Sequence, residues 1–191
     1  MGMQGPAHKA ARPLVDPPAG FDDPLEMLLA CHRRIEKQLE TLKRLRAHLA
    51  SEGVDPEASA AAQSVLRYFG KSAADHHHDE EHDVFPLLEQ RMGTSGDALR
   101  FRALRERLEA DHRELEAAWH RLRKPLEGVA EGLMRQLPET DVHAFVSAYA
   151  SHILAEEIAL REFFQRWVDD RDREALGRAM AARRHVPYPP V

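Results

Sequence analysis

A chain of 191 residues, 43% hydrophobic and 31% charged, is long enough for one domain with a sizeable core. Its 27 Lys and Arg stand against 32 Asp and Glu, a formal charge of -5, which gives no reason to expect binding to nucleic acid or to an anionic membrane surface. No apolar run approaches a bilayer-spanning length and the opening residues lack the apolar stretch of a secretory signal. The one cysteine, Cys31, excludes an internal disulfide and suits a reducing compartment, so a cytoplasmic location is expected.

In chain order, residues 1–22 are rich in Pro, Gly and Ala and read as a flexible arm. Asp23-Pro24-Leu25-Glu26 carries the signals of a helix start, a capping Asp followed by Pro. Leu25, Leu28, Ile35, Leu39 and Leu42 then recur every three or four residues, an amphipathic helix to about Ala50. Asp55-Pro56 starts a second helix, with Phe69, Ala73, Val84 and Leu88 on its stripe and a kink or break expected at Pro86. A third begins near Asp97 and is expected to end around Pro125 or Gly128. A fourth starts at Thr140 or Asp141 and carries Phe145, Tyr149, Ile153, Leu160 and Phe163. Residues 171–191 read as a short extra helix and an irregular tail. Nothing alternates as a strand would. The expected fold class is all-α: an up-down-up-down four-helix bundle over 23–170 with a short extra C-terminal helix.

Polar residues on these apolar stripes carry the functional signal. His32 lies between Leu28 and Ile35 on the first helix. His77 and Glu81, His112 and Glu116, and His152 and Glu156 form HxxxE pairs on the other three, and residues four apart share a helix face. A buried Glu is costly unless it is paired or bound to metal, and no Lys or Arg shares these stripes at that level. A metal supplies the missing charge. Four imidazoles and three carboxylates exceed the needs of one tetrahedral zinc and suit two irons. His76, His78 and His82 flank the pair on the second helix and are expected to face solvent or the edge of the site. Glu80 and Glu157 adjoin the chosen residues and replace them if the register is off by one.

At these residues the chain resembles the hemerythrin-like family, in its bacterial HHE cation-binding branch. The segment HHHDEEHDVFPLLE at 76–89 is similar to the family signature, a His pair followed by two Glu and Phe-Pro. The resemblance spans about residues 22–165, and the segment with Met180, Arg183 and Arg184 also resembles an extension in that branch. It implies a four-helix bundle around a non-haem di-iron centre: two iron ions, oxo- or hydroxo-bridged, with zinc or manganese as possible substitutes. The implied metal ligands are His32, His77, Glu81, His112, Glu116 and His152, with Glu156 added by periodicity. Oxygen-carrying members have His where this chain has Glu116 and end the last motif as HxxxxD, so this chain looks less suited to reversible O2 carriage.

The expected function is binding of, or reaction with, O2, peroxide or nitric oxide, in sensing or stress response. A metal-dependent oxidase or peroxidase is the leading alternative. Iron storage or delivery, or an interaction module with a structural metal, follows behind. Expected partners are a small diatomic or peroxide ligand, with no nucleic acid and no membrane, in a monomer or small homo-oligomer.

Overall fold

A computed structural model describes residues 20–188. Most of the expected N-terminal arm, residues 1–19, lies outside the described residues. The first long helix, α1, runs Pro24–Ser51, and Asp23 caps it by accepting from the Glu26 N–H at 3.1 Å. The second long rod is composite: α2 (Pro56–Arg67), a π-helical turn (Tyr68–Ser72), α3 (Ala73–Asp79), a second π-helical turn (Glu80–Val84) and α4 (Phe85–Met92). Asp55 caps it from the Ala58 N–H at 2.8 Å. Then come α5 (Gly96–Ala130), α6 (Glu139–Trp167) and the shorter α7 (Asp170–Arg183).

Two sequence expectations change here. Pro86 does not break the second rod, because it sits in the first turn of α4, directly after a widened π turn. Pro125 does not end α5 either: Leu122, Leu126 and Val129 are all buried, and their packing carries the helix on to Ala130. Gly53 and Gly93, with φ of 82° and 57°, end α1 and α4 in a conformation open to glycine.

The four rods close a ring, with α1 against α2, α2 against α5, α5 against α6 and α6 back against α1. This is a four-helix bundle, with α7 added across one end. Among the described residues no helix is long and apolar enough to cross a membrane.

The core is divided along the bundle axis. One apolar cluster gathers Ile35, Leu42, Val65, Phe69, Leu115, Leu122, Phe145 and Tyr149. A second gathers Leu28, Phe85, Leu88, Phe101, Leu108, Leu160 and Phe164, and includes Leu176 and Met180 of α7. The residues that separate the two clusters on α1, α5 and α6 are histidines and glutamates, and they are as deeply buried as the leucines on either side.

α7 docks tightly. A side-chain carbon added at Gly177 would collide with the carbonyl oxygen of Phe21. Gly177→Ala is therefore expected to cost about 1–3 kcal/mol of stability, as overpacking does in a close-packed interface. Urea unfolding of the two chains side by side checks this.

Candidate metal centre

Each rod contributes to the polar layer. From α1 comes His32, one turn beyond Leu28. α3 gives His76 and His77, and the π turn after it gives Glu80. His112 comes from α5. His152 and Glu156, one turn apart, come from α6. His32, His76 and Glu80 are completely shielded from solvent, as is Glu156.

The donor atoms fall into overlapping groups. His32, His76, Glu80 and Glu156 form one, and Glu80, His112, His152 and Glu156 form another, with His77 joining His112 and His152; within each group the candidate donor atoms lie within 4.8 Å of one another. Both glutamates belong to both halves. Glu80 places Oε1 3.2 Å from His76 Nε2 and Oε2 3.3 Å from His112 Nε2. Glu156 places Oε2 3.4 Å from His32 Nε2 and 3.0 Å from His152 Nε2.

Few of these atoms find a proper hydrogen bond inside the protein. His32 Nε2, His77 Nε2, His112 Nε2, both nitrogens of His76 and of His152, and all four oxygens of Glu80 and Glu156 are buried without a partner. A native core leaves few such atoms, and a concentration of them at one level means that something else satisfies them. Imidazole nitrogens and carboxylate oxygens in this mixture are the donor set of a transition metal. Two adjacent groups sharing two carboxylates fit a pair of ions better than a single one.

The outward faces of the rings are tied down by a second set of carboxylates. His32 Nδ1 lies 3.1 Å from Glu157, and His112 Nδ1 lies 2.7 Å from Glu81. Asp111, 3.6 Å from His152 Nδ1, is too far to bond it. For His32 and His112 the carboxylate at Nδ1 holds the proton there and leaves the Nε2 lone pair pointing into the layer.

Electrostatics reflect the crowding. Burial drives His76 and His77 well below the ordinary histidine range, so both rings are neutral and ready to ligate. Burial, together with the neighbouring Glu156, pushes Glu80 well above the ordinary carboxylate range. For Glu156 burial acts upward too, but attraction to His152 and His32 outweighs it and holds the group low. His32 is desolvated, yet Glu156 and Glu157 together raise it.

Of the residues singled out from the sequence, the structure brings together His32, His77, His112, His152 and Glu156. Glu81 and Glu116 stand elsewhere. Glu81 is about a third exposed (32%) and touches His112 from outside. The Glu116 side chain is 71% exposed, 3.7 Å from His120, because Leu115 fills the inward position one turn after His112. His76, expected to face solvent or the edge of the site, and Glu80, expected there only if the register is off by one, are in the layer. The signal for them was present in the HHHDEE run: Glu80 was the stated off-by-one neighbour of Glu81.

A half-open cavity of about 360 Å³ reaches the layer from one side, between α3 and α5. His77 and His112 form its inner end, Phe69, Trp119 and Tyr149 one wall, and Arg113 and His120 part of its rim. His77 and His112 lie ring on ring there, centroids 4.0 Å apart.

An uncharacterized protein of Haemophilus influenzae is 28% identical over 168 residues, covering 88% of this chain and 94% of that protein. The model of the hemerythrin HHE cation binding domain matches residues 23–167, from the cap of α1 to the last residue of α6. The chain belongs to the hemerythrin HHE cation-binding domain family.

Proposed function

We propose that this protein holds two iron ions in the buried layer and uses them to bind, or react with, O2, peroxide or nitric oxide, in sensing or stress response inside the cytoplasm. The observation that carries the reading is the set of buried, partnerless imidazole nitrogens and carboxylate oxygens in two groups joined by Glu80 and Glu156. In this reading His32 and His76 would hold one ion and His77, His112 and His152 the other, with Glu80 and Glu156 within reach of both.

Iron there would supply redox chemistry and open coordination positions. The protein does the rest. Glu157 and Glu81 keep protons on His32 Nδ1 and His112 Nδ1 and so orient those rings. Leu28, Phe85, Leu108 and Leu160 on one side, and Ile35, Leu115 and Ile153 on the other, exclude bulk water. The cavity between α3 and α5 gives small molecules a way to His77 and His112. With Glu116 turned out, five imidazoles face two carboxylates. This layer is less anionic than the sequence motif suggests, which weakens the argument against reversible O2 binding.

The cavity supports a second reading. At about 360 Å³ it is far larger than a diatomic gas needs and lies within the range of pockets for organic ligands, about 300–1,000 Å³. A metal-dependent oxidase or peroxidase acting on a small organic molecule fits that volume.

Elemental analysis of protein from iron-replete cells is expected to give two irons per chain. Reduced protein mixed anaerobically with O2, peroxide or NO in a stopped-flow spectrophotometer should change its absorption with at least one of them. One metal per chain, or an unchanging spectrum with all three, would defeat the reading.

Substitutions sort the glutamates. Glu80→Ala should abolish stable binding of both ions, whereas Glu116→Ala should leave metal content unchanged. Glu81→Ala and Glu157→Ala are expected to weaken metal binding about 10–100-fold, the usual cost of losing a carboxylate behind a ligating histidine. Equal metal loss for Glu80 and Glu116 variants would contradict this arrangement.

Metal uptake should also release protons. Burial and the neighbouring Glu156 raise the Glu80 carboxyl and so favour its protonated form before metal arrives, and the two glutamates beside His32 favour the proton on that ring. His76 and His77, held low, have no proton to lose. Binding should therefore expel protons, and affinity should rise with pH. Calorimetry in buffers of different ionisation enthalpy measures the number, and Glu80→Gln should reduce it.

A further inference from the structure

The family match ends at residue 167, and α7, at Asp170–Arg183, lies wholly beyond it. Yet the end of α7 reaches back into the bundle at the point where α3 passes into the second π turn. Asp79, the last residue of α3, is completely buried. Both of its oxygens are occupied by guanidinium groups: Oδ1 accepts from Arg183, and Oδ2 accepts from Arg184 at 2.6 Å. Arg183 also donates to Asp83 Oδ2 at 2.7 Å. Asp79 and Asp83 bracket Glu80, the glutamate shared by both halves of the layer.

The joint is built to be directional. A guanidinium offers its donors in a rigid planar fork, and a carboxylate facing such forks is fixed in angle as well as in distance. Arg184 is further braced by donating to the Met180 carbonyl at 3.0 Å. Met180 and Leu176 are buried against the apolar cluster below the layer, which anchors the helix from which both arginines project. Neither arginine donates to any donor of the layer itself.

We propose that Arg183 and Arg184 are positioning residues for the metal layer. By gripping Asp79 and Asp83 they set the rotation of the segment that carries Glu80 between the two groups of histidines. The proposal rests on the di-metal reading above. A helix outside the family domain thus completes the geometry of a site inside it. Without the grip the widened turn at 80–84 is free to rewind, and a rotation of one residue would present Glu81 or Asp79 in place of Glu80.

The test uses the full chain and separates positioning from simple attachment of α7. The double variant Arg183→Ala/Arg184→Ala removes the grip. Arg91→Ala removes a different attachment of the same helix, the 2.6 Å contact from α4 to Asp172, and leaves the grip intact. Arg183→Lys/Arg184→Lys keeps the charge without the fork. Iron-loaded proteins are challenged with a chelator and followed by absorption, and amide exchange across 79–84 is measured without metal. The double Ala variant should release metal at least about 10-fold faster than wild type, with shifted ferric absorption bands, as when a ligand loses its support. Its exchange across 79–84 should rise. The Lys variant should recover only part of this, and Arg91→Ala should lower the thermal midpoint with neither effect. If release rate and spectrum of the double Ala variant match those of Arg91→Ala, or if the added exchange is confined to α7, the arginines only fasten the helix and the proposal fails. Fewer than two irons in wild-type protein overturns the di-metal reading alone. The metal-free exchange then still decides the grip, for it if 79–84 loosens and against it if not.

Discussion

The structure turns on one electrostatic constraint: two carboxylates lie side by side in the middle of an apolar bundle. Glu80 and Glu156 are shut off from solvent, and among the described residues they pair with histidines, not with lysine or arginine. Ionised together and uncompensated they would be prohibitive, since an unpaired buried charge is among the most expensive things a fold can contain. Metal-free protein relieves this by raising Glu80 and lowering Glu156 against His152 and His32. Metal would relieve it more completely, by supplying positive charge to both.

The surrounding architecture follows from keeping that layer in place. Ridges of leucine and phenylalanine above and below hold the four rods at fixed spacing, so the donors meet at one level. Glu81 and Glu157 bond the outer faces of the His112 and His32 rings and fix their orientation, and Asp111 stands outside His152. These outer carboxylates are partly solvated and bear their charge at little cost; the inner ones bear theirs only with help. Interior acid and peripheral acid are chemically identical side chains given different work by a difference of one turn, or of one residue, along a helix.

The same point explains what could be read in the sequence. The four rods, their caps at Asp23 and Asp55, and the inward placing of His32, His112, His152 and Glu156 follow from apolar spacing alone. The second rod was harder. A stripe followed in steps of four, from Phe69 through Ala73 and His77 to Glu81, overshoots a full turn by about 40° at each step and is about 120° off after three. Glu80, eleven residues from Phe69, completes nearly three whole turns, as Leu160 does from Tyr149. The two π turns compound the difficulty, because a change in residues per turn leaves no mark in a hydrophobic pattern. On α5 the neighbouring Leu115 and Glu116 differ by about 100° in direction, and only the apolar one could fill the core. The extra helix was visible as a segment, but nothing in its composition told that Arg183 and Arg184 would find Asp79.

The cavity gives the layer a front and a back. It touches His77 and His112 and none of His32, His76 or His152, which are buried. The two groups of donors, though they share their carboxylates, thus differ in access: one presents His77 and His112 to the cavity, and neither His32 nor His76 of the other lines it.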